Sequence, residues 1–139
     1  MKLMKSYKTT TNKINFNLKF YDKMTLIDGE SGVGKTMLFK AIERDCLINK
    51  TNIICLNYDD IASGNIEHTL NTAKGKVIII DNADIALSME QKVRVAMDKD
   101  NQYIIFTHST EGFHPNDASI AELIVSNNNG KLVYDLLED

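Results

Sequence analysis

Residues 29–36 read Gly29-Glu30-Ser31-Gly32-Val33-Gly34-Lys35-Thr36, a complete G-x-x-x-x-G-K-[ST] pattern, the Walker A form. Each residue type has a physical task. The three glycines let the backbone close tightly around a cluster of oxygens and turn several N–H groups inward. A helix starting behind the loop adds the positive end of its dipole, equivalent to roughly half a charge. Lys35 is placed to reach β- and γ-phosphates, and the Thr36 hydroxyl to ligate Mg²⁺. Met37 follows at the helix start and completes the segment expected to touch a nucleotide. With this chain's frequencies of Gly, Lys and Ser/Thr, roughly four shuffled sequences in a thousand contain the pattern by chance. A glycine-rich turn that binds nothing is therefore the weaker reading.

A second chemical signal is Ile78-Ile79-Ile80-Asp81-Asn82-Ala83-Asp84, an apolar run ending in an acid. An acid at a strand's C-terminal end can hold Mg²⁺, or its water, beside Thr36. By itself such a run is a weak pattern. Its place, one strand after the phosphate loop, makes it a Walker B segment with Asp81 as the metal-side acid.

These residues need strands and helices to hold them. Met24-Thr25-Leu26-Ile27-Asp28 reads as the strand feeding the loop, and Met37 to Leu47 as the helix leaving it, with Leu38, Ala41, Ile42 and Cys46 on one face. Upstream, residues 1–11 read as a loose or partly ordered start. Ile14, Phe16, Leu18 and Phe20 then alternate with polar residues, predicting a half-buried strand that pairs antiparallel with, or packs near, the 24–28 strand. Downstream, residues 52–58, 76–81 and 103–107 are apolar runs expected to be strands covered on both faces. A helix from Asp59 to Ala73 is interrupted around Ser63-Gly64-Asn65 and stopped by Gly75. Ser88-x-x-Gln91 is a capping box opening a helix to about Asp98, with Met89, Val93, Ala96 and Met97 inward. Residues 109–119 form a loop with the only proline, Pro115, and residues 122–135 a hairpin around Asn127-Asn128-Asn129-Gly130. Alternating strands and helices predict one α/β domain over residues 1–139. Its sheet is mainly parallel, with antiparallel additions at the N-terminal strand and the C-terminal hairpin.

Bulk properties agree with this picture. At 139 residues, 43% apolar and 25% charged, the chain suits one domain with a real core. A formal net charge of −3 does not favour nucleic acid or anionic membrane as partner. Lys2, Lys5, Lys8, Lys13 and Lys19 make residues 1–21 basic, which reads first as a solvated edge. No apolar run is long enough to span a bilayer, and no apolar signal core follows the N-terminal lysines, so a cytoplasmic location is expected. Cys46 and Cys55 imply neither a disulfide framework nor a zinc site.

Taken together, the two motifs and the strands around them resemble P-loop NTPases of the additional-strand division, which includes the AAA and ABC families. The resemblance covers nearly the whole chain in compressed form, and the ABC-type domain looks closest. It implies a three-layer fold with strand order 5-1-4-3-2 and ATP as the nucleotide. In that family a strand ending Thr-His follows the Walker B helix, as in Ile104-Ile105-Phe106-Thr107-His108-Ser109. By this resemblance His108 matches the switch histidine that contacts the γ-phosphate. A strand-end histidine without ligand is the competing reading. Two features depart from the pattern. No Leu-Ser-Gly-Gly-Gln signature occurs, and no helical lid of the AAA kind follows the last strand. The residue after the Walker B acid, a glutamate in relatives, is Asn82.

An amide can orient water but cannot accept its proton at neutral pH, so turnover is expected to be slow or to draw its base from elsewhere. Asp59, Asp60, Asp84 and Glu30 are the candidates; Asn82→Glu is expected to raise single-turnover hydrolysis, and no change would mean that the base lies elsewhere. Arg44 and Arg94, the only arginines, read as solvated helix residues before they read as fingers toward a neighbour's phosphates. No Asn-Lys-x-Asp guanine motif is present, and Tyr7 or Phe16 is a candidate platform for the base. The catalytic set expected is thus Lys35, Asp81, Asn82 and His108. Three functions remain open: a Mg²⁺-dependent ATPase working with a protein partner or as a homo-oligomer, a nucleotide-responsive binding or adaptor module with little turnover, and a small-molecule kinase. The scarcity of arginine argues against the kinase.

Overall fold

The computed structural model describes residues 4–10, 14–20, 23–28, 35–49, 52–113 and 118–138. In chain order the elements are β1 (Ser6–Thr10), β2 (Ile14–Lys19), β3 (Met24–Asp28), α1 (Lys35–Asn49), β4 (Ile53–Leu56), α2 (Asp60–Ser63), α3 (Asn65–Thr72), β5 (Val77–Ile80), α4 (Ala83–Ala86), α5 (Met89–Met97), β6 (Gln102–Phe106), β7 (Ala118–Asn128) and β8 (Lys131–Glu138).

All eight strands form one sheet in the order β1-β2-β8-β7-β3-β6-β5-β4. Five of them, β7-β3-β6-β5-β4, are mutually parallel and reproduce the expected 5-1-4-3-2 order. Successive side chains of a strand point to opposite faces, so a fully apolar strand builds two cores. Ile27, Ile79, Ile104 and Phe106 cluster with Leu38, Phe39, Ala41 and Ile42 of α1. Leu26, Ile78, Ile80 and Ile105 cluster on the other face with Ile66 of α3, Ala83 and Ala86 of α4, and Val95 of α5. The result is three layers, helix on sheet on helix. Each such buried Ile or Leu stabilises by roughly 1.5–3 kcal/mol, and successive positions of β5 or β6 serve alternate cores.

Several expectations are corrected. The strand at 14–19 does not pair with β3. Both edges of β3 are taken by parallel neighbours, β6 and β7, and β2 lies instead between β1, antiparallel, and β8, parallel. Within the segment expected to be loose or partly ordered, residues 6–10 form β1, the outer edge of the sheet, where exposed Lys8, with Lys5 just before the strand, blunts pairing with another chain. β4 is the opposite edge, so Ile53, Ile54 and Cys55 are only half-buried. The Cys46 side chain lies outside the described residues.

The local signals hold. Gly64, at φ +75°, separates α2 from α3, and the Ser88–Gln91 capping box opens α5. The face of α5 that turns inward is rotated from expectation. Lys92 and Val95 are buried, whereas Met89 and Met97 are 55% and 72% exposed. Phe113 packs in the same core as Val95, and the Lys92 ammonium sits 5.7 Å from its ring centre, so the buried lysine lies against apolar surface. The β7–β8 hairpin turns on two residues only, Asn129 and Gly130, both left-handed, the arrangement that suits the twist of a two-residue hairpin.

Candidate functional site

Every chemical residue that the structure describes lies at the C-terminal ends of the parallel strands. Asp28 ends β3, and Lys35, the first residue of α1, returns to the same end. Asp81 follows β5 directly, and its N–H continues the ladder by donating to the Leu56 carbonyl at 2.9 Å. Thr107 does the same beyond β6, donating to the Ile27 carbonyl at 3.1 Å. His108 is thereby delivered beside β3. The expected contacts of Gly29, Glu30, Ser31, Gly32, Val33 and Gly34, and of the Thr36 hydroxyl, fall outside the described residues.

Lys35 is buried, 8% exposed, with Nζ 3.2 Å from Nδ1 of His108. Which of the two groups donates is set by the state of the imidazole. Burial holds the Lys35 pKa below the ordinary lysine value, against the pull of Asp28, Asp84 and Asp81. Asp81 is 6% exposed, and burial raises its pKa. The Asn82 N–H, donating to Asp81 Oδ1 at 3.0 Å, then Lys35 and His108, work in the opposite direction, while Asp84 adds to the rise. Both shifts say that desolvation outweighs pairing. One buried cation is thus within electrostatic reach of three carboxylates, a charge arrangement found at functional sites.

Asn82 sits at φ +49°, ψ +44°, between β5 and the single turn of α4. Asparagine adopts this left-handed region more readily than glutamate does, which gives a backbone reason for the departure at this position. Asp84, in the turn that follows, is close enough to act electrostatically on both Lys35 and Asp81. Oδ1 of Asp84 is fully buried and has no hydrogen-bond donor among the described residues.

The other acids are placed differently. Asp60 is consumed locally, accepting from the Asn57 N–H at 2.9 Å and from the Asn65 amide at 3.1 Å. Asp59 is exposed at the start of α2. Glu30 lies outside the described residues. Arg94 pairs with Glu67 and donates to Asn71 Oδ1 at 2.6 Å, tying α5 to α3 and leaving Arg44 the exposed arginine. Tyr7 is in the core with its hydroxyl donating to Asp45 Oδ2 at 2.5 Å, so it is not a base-stacking platform; the Phe16 side chain is outside the described residues. Met37 is exposed beside Lys35. Sequence reasoning missed Asp28 as a site acid, although an acid directly before the first loop glycine was its signal.

The sequence model of the family described as AAA domain matches residues 21–122. The chain belongs to the AAA domain family. The match spans the segment from the β3 strand through the start of β7, and so encloses Lys35, Asp81, Asn82, Asp84 and His108. Comparison with curated proteins returned no match. Among solved structures, "RNase-L Inhibitor" is similar with a TM-score of 0.51 at 9% identity, over 96% of this chain and 39% of that one. This AAA domain thus spans about two fifths of that structure's length, and the likeness is one of fold. Family and fold agree with the resemblance to P-loop NTPases of the AAA kind, nucleotide-binding by family. None of the described helices is long and apolar enough to cross a membrane.

Proposed function

We propose that this AAA domain binds Mg-ATP at Lys35 and hydrolyses it slowly, with faster turnover in an oligomer or with a protein partner. The observation that carries the reading is the buried Lys35 ammonium, held against His108 and within electrostatic reach of Asp28 at the end of β3, Asp81 after β5 and Asp84 in α4. A bound polyphosphate would give Lys35 the counter-charge it is arranged to receive, while His108 steadies the ammonium and borders the γ-phosphate. Asp81 fits a Mg²⁺ partner. Among the described residues no three metal-ligating side chains converge, and Mg²⁺ is commonly held by one or two carboxylates plus phosphate oxygens and water. Asp81 and Thr36 would hold the ion, whose chemistry is to neutralise charge on the β- and γ-oxygens. The reading places the protein in the cytoplasm, where Mg-ATP is available.

A second reading, a nucleotide-responsive adaptor with no turnover, is favoured by Asn82 in the position where relatives carry glutamate. Thermal melting and single-turnover hydrolysis with Mg-ATP separate the two, and light scattering with and without Mg-ATP tests assembly. A melting shift with hydrolysis supports the ATPase; a shift without hydrolysis supports the adaptor. No shift with any nucleotide up to millimolar concentration removes both.

A further inference from the structure

The formal net charge of −3 is a sum over two unlike ends of the sheet. At the C-terminal ends of the parallel strands Asp28, Asp59, Asp60, Asp81 and Asp84 stand against Lys35. The N-terminal ends carry the opposite sign. Lys23 lies just before β3, Lys74 and Lys76 before β5, and Lys99 before β6, and these three strands are neighbours in the sheet. Hydrogen bonds knit the strand starts together. Lys23 Nζ donates to the Lys99 carbonyl at 2.8 Å, the Tyr103 N–H to the Lys23 carbonyl at 2.7 Å, and the Gln102 N–H to the Lys76 carbonyl at 2.9 Å. Two more lysines arrive from β1 and β2. The buried Gln102 amide clasps the Met4 main chain, accepting from its N–H at 2.7 Å and donating to its carbonyl at 2.9 Å. Lys5 is the next residue, and Lys19 is the register partner of Ser6 beyond it.

Six lysines thus gather where the described acids are Asp98 and Asp100. Asp98 is engaged within its own loop, its Oδ2 accepting from the Asn101 amide and the Tyr103 hydroxyl and its Oδ1 from the Asp100 N–H. None of the six lysines is ion-paired to a described carboxylate. Lys5, Lys19, Lys74 and Lys99 are exposed. A cluster of one sign on one end of a molecule of the other sign is the electrostatic footprint of a polyanionic partner.

We propose that this lysine end docks the phosphodiester backbone of a nucleic-acid duplex, independently of sequence. The inference stands apart from the Mg-ATP reading, since the lysines lie at the other end of the strands from Lys35. A duplex carries one negative charge per about 1.7 Å of its axis, and adjacent strand starts are about 4.8 Å apart, so each flexible lysine stem finds a phosphate within reach. The contacts are positioning contacts to phosphate, without readout of bases. The acidic end repels the same polyanion, which leaves the duplex one side to approach. An anionic membrane is the poorer fit. Such a surface is held by a continuous apolar face beside the basic residues, and the large exposed apolar side chain at this end is Met97 alone among the described residues. Tyr58, Ile61, Ile85 and Met89 lie toward the opposite end, after β4, in α2 and α4 and at the start of α5.

The test is fluorescence anisotropy of a short labelled DNA duplex of arbitrary sequence, titrated with the full chain at several salt concentrations. With about four to six phosphates neutralised, the slope of log K against log salt should be about −4 to −5, and affinity should fall about 10²–10³-fold between about 50 and 200 mM salt. Lys74→Gln/Lys99→Gln should make that slope shallower by about 2 and weaken binding at about 50 mM salt by tenfold or more. Lys40→Gln/Lys131→Gln removes the same charge from α1 and the hairpin, and should leave slope and affinity near wild type. Circular dichroism melting shows whether each pair is folded; should one fail, the wild-type slope still decides, because a slope shallower than about −2 is too small for this patch. No anisotropy change at about 50 mM salt and about 100 µM protein overturns the proposal. So does a Lys40/Lys131 pair that loses as much as the Lys74/Lys99 pair, which would assign binding to bulk charge. Sedimentation with phosphatidylserine vesicles in place of duplex would assign the end to a membrane surface. A salt-sensitive rise in mass without DNA, abolished by Lys74→Gln/Lys99→Gln, would assign it to a second copy of the chain. Either result overturns the duplex proposal.

Discussion

Lys35 and His108 meet at 3.2 Å although 73 positions separate them in the chain. The contact exists because β3 and β6 are parallel neighbours in register from Met24–Tyr103 to Ile27–Phe106, so the residues that leave their C-terminal ends converge. Parallel pairing, rather than any local propensity, assembles the cation and the imidazole that border the proposed phosphate position.

Removal of the cation should abolish nucleotide stabilisation. Ligand at a hundred times its dissociation constant stabilises a fold by about 2.7 kcal/mol. For a domain of this size that is a rise in melting temperature on the order of 10 °C. Wild type should show it with Mg-ATP and Lys35→Ala should not, as read by thermal denaturation at matched protein concentration.

Asp81→Asn should make the ligand-free protein more stable than wild type near neutral pH. The Asp81 pKa is raised in the folded state, so the folded protein holds that proton to higher pH than the unfolded chain. Its contribution is complete below the ordinary aspartate value and is lost as pH rises through the raised one. The stability gap between variant and wild type should therefore widen from about pH 3 to about pH 7 in urea titrations. A gap that narrows over that range contradicts the assignment. Mg-ATP should stabilise the variant less than wild type.

The backbone at Asn82 should make its substitutions diverge. At φ +49°, Gly is accommodated without strain, while Glu costs on the order of 1 kcal/mol. Denaturant midpoints of Asn82→Gly and Asn82→Glu should fall in that order, with unchanged m-values.

Asn101 ties together the strand ends farthest from the site. Its amide donates to the Ala73 carbonyl at 2.9 Å and to Asp98 at 2.8 Å, and its oxygen accepts from the Lys76 N–H at 3.0 Å, all with 1% exposure. Asn101→Ala leaves those groups unmade and should cost about 2–3 kcal/mol in urea unfolding. Nucleotide affinity should hold, since Lys76 and Asn101 precede β5 and β6 at their N-terminal ends.

Gly112 closes the loop that follows His108 onto α5. At φ +88° it is left-handed, and a Cβ there would lie 2.5 Å from Met89 Sδ and 2.9 Å from Lys92 Cδ. Gly112→Ala should destabilise by about 1 kcal/mol or more and loosen Phe113 from the second core. Amide hydrogen exchange should then rise through residues 108–113 before it rises in β6.

Read alone, the chain disclosed its local elements, because these follow from near neighbours. The period of apolar residues, the capping box at Ser88 and Gln91, the left-handed Gly64 and the Asn129-Gly130 turn are each decided by interactions within a few positions. It also disclosed the phosphate-loop pattern and Asp81. The five-strand core order came from the resemblance to P-loop NTPases, and the parallel strands take it up. Only tertiary structure decided the rest. That β2 joins β8 instead of β3 depends on which edges the later strands occupy. The inward face of α5 meets Phe113, eighteen positions past Val95, and the engagement of Arg94 depends on Glu67 in another helix. The isolation of Asp84 Oδ1 belongs to this class as well. A carboxylate looks the same in any sequence, and whether it finds a donor is settled by what the folded chain brings, or fails to bring, within hydrogen-bond reach.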